Sequence, residues 1–396
     1  MAHCLLEHGH EVTMVCGSFS GNKTGLKGNY VNGFRRGLVN GLDIIEFDLA
    51  YSNSDTLLSR TWTFFKYVFR SLKIIFFERY DLVFATTTPL TAGIPGIIAR
   101  WLRNKPFVFE VRDLWPELPK AMGVIKNPLI LYLMSILEWL SYHSANHLIA
   151  LSPGITNGIE NRGIKSDLIS MIPNGCDLNI FDAEINLLRP DSIQPNDFIA
   201  IFAGTHGVAN GLNNILDVAA ELCLRKRNDI KIILIGDGKL KRSLIARADK
   251  DRLENIIFMD PINKKGILSL MSKSDLGLQI LSNIPAFYYG TSPNKFFDYI
   301  SAGMPVLTNY PGWIADIILA NDIGFVVPPD NPIKFANVLE KAADNRNNLK
   351  IKGLNAKQLA FKDFNRKEQA SHWVKIMEQT HKKHVKKRIK YGNTGS

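Results

Sequence analysis

The feature that most narrows the fold is a repeated alternation. Short apolar segments give way to longer helical ones, and the pattern runs on both sides of a polar, proline-containing stretch at 183–197. In the first series, segments 12–16, 42–47, 82–86, 107–111, 148–151 and 168–172 read as strands, with helical stretches at 2–8, 56–77, 91–102 and 128–143. In the second, strands read at 199–203, 231–235, 256–259, 276–280, 306–308 and 324–327, with helices at 212–224 and from Asn294 onward. A strand followed by a crossover helix and another strand makes a parallel pair, so the expected fold class is α/β, with two Rossmann-like doubly wound domains. At 396 residues the chain is too long for one ordinary core. The expected domains are 1–182 together with 366–396, and 198–365, joined by a linker at 183–197. Residues 2–8 read as the end of a helix capped by Gly9, with no strand and glycine-rich turn ahead of it. The first strand of that domain is therefore expected to be missing, as from a truncated or misassigned start.

Composition excludes several classes. A hydrophobic share of 46% with 21% charge suits a soluble globular chain. Cys4, Cys16, Cys176 and Cys223 form no C-x-x-C pair, so neither a zinc site nor a disulfide framework is indicated, and a reducing cytoplasm fits. The net charge of +11 is concentrated near the C-terminus, at Lys382, Lys383, Lys386, Lys387, Arg388 and Lys390. That run reads first as a solvated, frayed tail and second as a patch for anions, with no nucleic acid partner expected. No run of about 18 apolar residues is present to span a bilayer. Residues 62–77, however, interleave Trp62, Phe65, Phe69 and Phe77 with Lys66, Arg70 and Lys73. Such a helix can lie in a headgroup region, rings at the boundary and lysine stems snorkelling, although a core helix with solvated lysines has the same pattern. Peripheral association with the inner face of the plasma membrane is the expectation.

Three segments carry candidate chemistry. The first is the run Gly290-Thr291-Ser292-Pro293-Asn294-Lys295, which reads as a loop entering a helix, with Asp298 one turn on and a glycine stop at Gly303. Free N–H groups and the positive end of a helix dipole make such an entry an anion site, and Lys295 adds a mobile cation. The second lies between strand 199–203 and helix 212–224, where Gly204, Thr205, His206, Gly207, Asn210 and Gly211 form a glycine-rich turn that lets backbone approach a phosphate. His206 reads either as a donor to a phosphate or sugar oxygen or as a packed loop histidine. Gly236 and Asp237, after strand 231–235, read as a second ligand turn or a simple chain reversal, and Met259-Asp260-Pro261 as its companion. The third segment places Glu110, Arg112, Asp113 and Glu117 at and just past the carboxyl end of strand 107–111, where open α/β sheets put their sites. Asp249-Lys250-Asp251 imitates an Asp-x-Asp metal motif, but it follows no strand and reads as solvated surface; no catalytic metal and no cofactor are expected.

In the order of these elements the chain resembles the retaining GT-B glycosyltransferases of family 4. Gly-Thr-His-Gly followed by Ser-Pro-Asn-Lys is similar to the subgroup of WbuB-type bacterial aminosugar transferases. Many family members carry an Arg and a Lys where this chain has Thr205 and Asn210, and the usual glutamate pair falls on Gly290 and Asp298. Where His-Asp is common, Arg112-Asp113 stands. The resemblance implies a cleft between the domains and a UDP-sugar held by the second domain. Lys295 would neutralise the diphosphate, Asp298 accept from ribose hydroxyls, Gly236 and Asp237 pass the base, and backbone groups at 259–261 read its edge. Asp113 would work at the reacting centre with Arg112, which reads either as a ligand of the donor or acceptor phosphate or as a structural partner of Asp113; Glu110 and Glu117 are candidates for the acceptor side. It further implies transfer of an N-acetyl aminosugar to a polyprenyl-diphosphate-linked saccharide in O-antigen or capsule assembly. Rival expectations are a GT-B sugar-nucleotide epimerase and a nucleotide-binding but catalytically incomplete chain.

Overall fold

The computed structural model describes residues 1–19, 24–51, 55, 57–178 and 193–392, so residues 183–192 of the expected linker lie outside it. The chain divides into two compact units, Met1–Pro173 with Lys367–Ser396, and Asn174–Arg366.

In the first unit, α1 (Ala2–Glu7) runs into Gly9 at φ +80°, and β1 (Thr13–Phe19) follows. β2 (Phe34–Val39) and β3 (Leu42–Tyr51) form an antiparallel hairpin turning at Asn40-Gly41, both at positive φ. Asn-Gly is the preferred pair for that turn because its backbone twist matches the strands. β1 lies parallel to β3, giving a three-stranded sheet in the order β1-β3-β2. α2 (Leu57–Phe77) leads to β4 (Val83–Thr86), α3 (Gly93–Leu102), β5 (Phe107–Val111), α4 (Glu117–Ala121), α5 (Pro128–Ser144), β6 (His147–Ala150), α6 (Pro153–Glu160) and β7 (Ile169–Met171). β4-β5-β6-β7 is a second, wholly parallel sheet. Alternation along β5 splits its burial between two faces. Phe107, Phe109 and Val111 pack with Tyr142, Leu148 and Ile155, whereas Val108 points to the opposite side with Ile149. α3 lies close on β5 because Gly96 has no Cβ; one there would stand 2.1 Å from the Phe107 ring.

The second unit strings together β8 (Phe198–Ala203), α7 (Asn213–Leu224), β9 (Ile230–Ile235), α8 (Lys241–Lys250), β10 (Ile256–Met259), α9 (Lys264–Met271) and β11 (Leu276–Gln279). Then come α10 (Ala286–Gly290), α11 (Asn294–Ser301), β12 (Val306–Thr308), α12 (Trp313–Ala320), β13 (Gly324–Val326), α13 (Pro332–Asp344) and α14 (Arg346–Asp363). Its six strands are all parallel, in the order β10-β9-β8-β11-β12-β13. The order reverses between β8 and β11, so the loops leaving those two strands diverge and open a crevice at their carboxyl ends.

Chain entry and exit of this unit are tied together. Cys176 N donates to Phe364 O at 2.7 Å and Arg366 N to Cys176 O at 3.2 Å. For that reason 174–178 packs with the second unit, ahead of the boundary at 182 expected from sequence. The last helix, α15 (Arg366–Gly392), lays Trp373, Val374, Ile376 and Met377 against Val108 and Ile149 of the first unit. Lys382, Lys383, Lys386, Lys387 and Arg388 are part of this helix and not of a frayed tail.

Candidate functional site

Three strand ends of the second unit are laced by backbone. Gly204 N donates to Ile235 O and His206 N to Asp237 O, both at 2.9 Å, and Gly236 N donates to Met259 O at 3.2 Å. The approach is so close that a Cβ on Gly236, whose φ is +144°, would lie 1.9 Å from the Gly204 carbonyl oxygen. Glycine there serves chain packing whether or not a ligand is near. Lys241, in the first turn of α8, donates to Gly236 O at 2.8 Å, Met259 O at 3.1 Å and Asp260 Oδ1 at 2.6 Å. It holds the Asp260 carboxyl below its usual range. The Met259 carbonyl and the Asp260 carboxylate are therefore in use inside the protein. Lys241 escaped notice in the sequence because it stands in the ordinary run Lys239-Leu240-Lys241-Arg242. Asp237 is exposed and its carboxylate accepts from Gly238 N at 2.8 Å. Asp249 and Lys250 are exposed at the end of α8, and Asp251 pairs with Arg247 at 3.3 Å.

His206 is fully buried between Phe202 and Phe258, with ring centroids 6.4 and 6.1 Å away. Neither ring nitrogen has a hydrogen-bond partner. Burial, then the nearby Lys241 charge, push its pKa down to about 4, so the ring is neutral. Of the two expectations for this residue, the packed loop histidine is the one this geometry supports.

Lys295 stands differently. α11 is pinned to the sheet by Tyr299, whose hydroxyl donates to Ile201 O and accepts from Ala203 N, both at 3.2 Å. The Tyr299 ring lies where a Cβ on Gly277 would come within 2.6 Å. So anchored, the first turn of α11 delivers Lys295 Nζ to Asn210 Oδ1 at 2.9 Å, while Asn210 Nδ2 donates to Thr205 O at 2.7 Å. The ammonium sits 4.2 Å from the centroid of the Phe202 ring, beside Gly204. Among the described residues no carboxylate pairs with it. Burial alone lowers its pKa to about 7. The loop after β8 and the segment after β11 are further joined by Ser282 N donating to Ala209 O at 2.9 Å; Gly211, at φ +57°, fits against Ser282. Gly204, Thr205, Asn210 and Gly211 are thus gathered with Lys295, and Gly207 opens the short turn between them.

Other expected residues fall out in detail. Gly290 ends the short helix α10 instead of sitting in a loop, and Thr291 Oγ1 donates back to Phe287 O at 3.0 Å. Ser292 Oγ is occupied by Asn174 N at 3.0 Å. Pro293 holds the N-cap position of α11 and Asn294 is exposed beside it. Asp298 lies one turn past Lys295, part-buried; burial raises its carboxyl, opposed by Lys264 and Arg366.

At the carboxyl edge of the first unit's sheet, Glu110 is buried and accepts from Thr86 Oγ1 at 2.7 Å. Arg112 Nη1 stands 3.7 Å from Glu110 Oε1, so its ion pair is with Glu110 and not with Asp113. Asp113 accepts from Thr88 Oγ1 at 3.0 Å, and burial raises its carboxyl. Thr87 Oγ1 accepts from Arg112 N at 2.7 Å. Thr86, Thr87 and Thr88 are not among the residues expected from sequence, although a threonine triplet at the end of a strand is the available signal. Glu117 opens α4 and is exposed.

Comparison with known proteins places the chain in a family. The Glycosyltransferase Family 4 model matches residues 1–180, and the Glycosyl transferases group 1 model matches residues 186–359. The protein named Probable glycosyltransferase WbjE, from Pseudomonas aeruginosa, is 25% identical over 316 residues, spanning 75% of this chain and 75% of that one. Among solved structures, Anabaena Alr3699/HepE in complex with UDP-glucose is similar at TM-score 0.63 and 18% identity, covering 83% of this chain and 86% of the other. WaaG, a glycosyltransferase involved in lipopolysaccharide biosynthesis, is similar at TM-score 0.66 and 18% identity, covering 95% and 93%. The structural likenesses establish the two-domain GT-B fold. The two family matches, which share almost the whole chain between them, make it a glycosyltransferase of family 4.

Proposed function

We propose that the chain is a retaining hexosyltransferase that moves an N-acetyl aminosugar from a UDP-sugar to a polyprenyl-diphosphate-linked saccharide in O-antigen or capsule assembly. The observation that carries the donor half is Lys295, a cation without an anionic partner among the described residues, held by Asn210 at a helix N-terminus beside a glycine-rich loop. A diphosphate supplies the missing charge. As the sugar bond breaks, negative charge grows on the leaving phosphate, and a cation already fixed in place stabilises it without reorganisation. Asp298 accepts from ribose hydroxyls. Arg112 and Asp113 act at the reacting centre, with Glu110 orienting Arg112 and Glu117 on the acceptor side. UDP as the nucleotide is supported by the complex of HepE with UDP-glucose, and the cell-surface setting by the involvement of WaaG in lipopolysaccharide biosynthesis.

A thermal-shift screen of UDP, GDP, ADP and TDP against wild type and Lys295→Ala tests the donor half. Selective stabilisation by UDP that Lys295→Ala removes is the expected result. Equal shifts in both proteins would overturn the role of Lys295. Incubation of UDP-N-acetyl aminosugars with lipid-linked acceptors then tests the rest: product on the acceptor is expected, and release of a modified nucleotide sugar without acceptor would favour an epimerase.

A further inference from the structure

Helix α5 is apolar on both sides: Tyr142, Met134 and Leu137 pack with the core, and the outward side is apolar as well. Its buried residues are Glu138, Ser141, Tyr142 and Ser144, with Glu138 paired to Arg162 at 2.6 Å. Its opposite face carries Leu129, Tyr132, Leu133, Ile136, Trp139 and Leu140, all exposed and spaced three or four residues apart as one stripe. No charged residue interrupts the helix before Glu138. A helix on a water-facing surface turns its apolar stripe to the core. Scattered exposed apolar side chains are ordinary, but a contiguous stripe marks a surface meant to be covered.

The stripe does not end with α5. α3 packs against both α5 and α2. At its end, Trp101 and Leu102 are exposed, with Trp101 Nε1 donating to Ser144 Oγ at 2.9 Å. α2 shows Trp62, Phe65, Phe69, Phe76 and Phe77 outward, with Lys66 and Lys73 exposed among them. The border of this area is cationic. α15 passes the end of α3, where His384 Nε2 meets Asn104 O at 3.0 Å. There Lys383, Lys387 and Arg388 line a groove with Arg100.

We infer that the outward face of α5, continued over the aromatic residues of α2, docks the first unit onto a bilayer, and that the basic end of α15 engages anionic headgroups at its border. The chemistry selects this occupant. An apolar stripe with tryptophan and tyrosine enters the headgroup and acyl boundary, and each nearby lysine or arginine adds attraction to an anionic leaflet. A second copy facing the first about a twofold axis would bring the same cations together, which disfavours that partner. No helix among the described residues is long and apolar enough to cross a membrane, so the surface lies on the bilayer and does not span it. The inference deepens the proposed lipid-borne acceptor by naming a docking surface, and none of its residues belongs to the donor site.

The test is co-sedimentation of the full chain with phosphatidylcholine vesicles and with vesicles about one-quarter phosphatidylglycerol, without donor or acceptor. Stronger binding to the anionic vesicles, weakened by salt, is expected. Leu133→Glu with Ile136→Glu should lower partitioning at least about tenfold on both vesicles. Lys383→Glu with Lys387→Glu should remove the preference for anionic vesicles alone. UDP-induced thermal shifts retained in both double variants would show that they fold. Unchanged partitioning in the Leu133/Ile136 variant overturns the inference, as does a dimer in sedimentation velocity that this variant breaks while vesicles go unbound. If UDP shifts fail even in wild type while vesicle binding behaves as expected, the donor reading falls and the docking surface stands.

Discussion

The carboxyl edges of the two parallel sheets hold their charges in opposite ways. At the second unit's edge, Lys295 has a neutral amide and an aromatic ring for company, and its pKa sinks to about 7. At the first unit's edge, the charges are answered internally: Arg112 by Glu110, Glu110 by Thr86, Asp113 by Thr88. A cation taken from water without an anion is costly, and the cost is relieved when a ligand brings one. The second edge therefore leaves a cation for a ligand's anion to answer, whereas the first already gives Arg112, Glu110 and Asp113 partners within the protein.

The largest effect that can break this contrast is on turnover. Lys295→Met should lower sugar transfer by about 10²–10³-fold, the usual consequence of removing a preorganised charge from a transition state. Its melting temperature should hold or rise, because an apolar side chain of similar length replaces an unpaired cation. A variant that unfolds early yet turns over normally would mean that Lys295 is structural.

Next in size is the scaffold that aims the lysine. Gly277→Ala would drive a methyl group into the Tyr299 ring, and overpacking of this kind costs about 1–3 kcal/mol. Because Tyr299 anchors α11, UDP affinity should fall as well, with Lys295 still present. Denaturation midpoints and UDP titrations on the same samples check both parts. Destabilisation without loss of UDP affinity would show that α11 does not set the position of Lys295.

The titration of Lys295 sharpens the contrast further. In the free protein its pKa is lowered to about 7; a bound diphosphate favours the charged form and raises it again. Above pH 7, binding must therefore take up a proton, and UDP affinity should fall by up to tenfold per pH unit. Calorimetry in buffers of different ionisation enthalpy should register uptake of up to one proton at pH 8, and none in Lys295→Met. The trend in stability is opposite, because unfolding also takes up this proton. The unfolded chain holds this proton to higher pH than the folded one, so stability of the free protein rises from about pH 7 toward 10.5.

Much of the architecture was legible because strand ends are marked by local chemistry. β5, β10 and β12 end where apolar runs meet polar residues, and Ser152-Pro153, a serine cap before a first-turn proline, opens α6. β2 is not among the strands expected from sequence: its one local signal is the Asn40-Gly41 turn, and its partner strand β3 follows it. At the site, Lys295 and the glycine-rich loop could be read because helix entry and backbone approach have local signatures. Lys241, Tyr299 and Gly277 could not, since their partners lie on other strands and nothing nearby announces the contact. The outward apolar side of α5 was also hidden: an apolar segment with one glutamate does not show which face stays outside until the sheet is in place.

The smallest effect concerns the first edge. Burial raises the Asp113 carboxyl above its ordinary value. The sign is then opposite to that of a salt-bridged aspartate: the folded state favours the protonated form, so ionisation costs stability as pH rises past the unfolded value, and none is lost in acid. Asp113→Asn keeps an oxygen for Thr88 Oγ1 and removes the charge. It should leave stability at pH 7 unchanged or raise it by less than about 1 kcal/mol, and the difference should vanish below pH 4. Thermal unfolding of both proteins across that range decides it. A clear loss of stability at neutral pH would mean that a group not yet identified satisfies the charge on Asp113. The first edge would then hold an electrostatic network of its own, and the difference between the two edges would be one of degree.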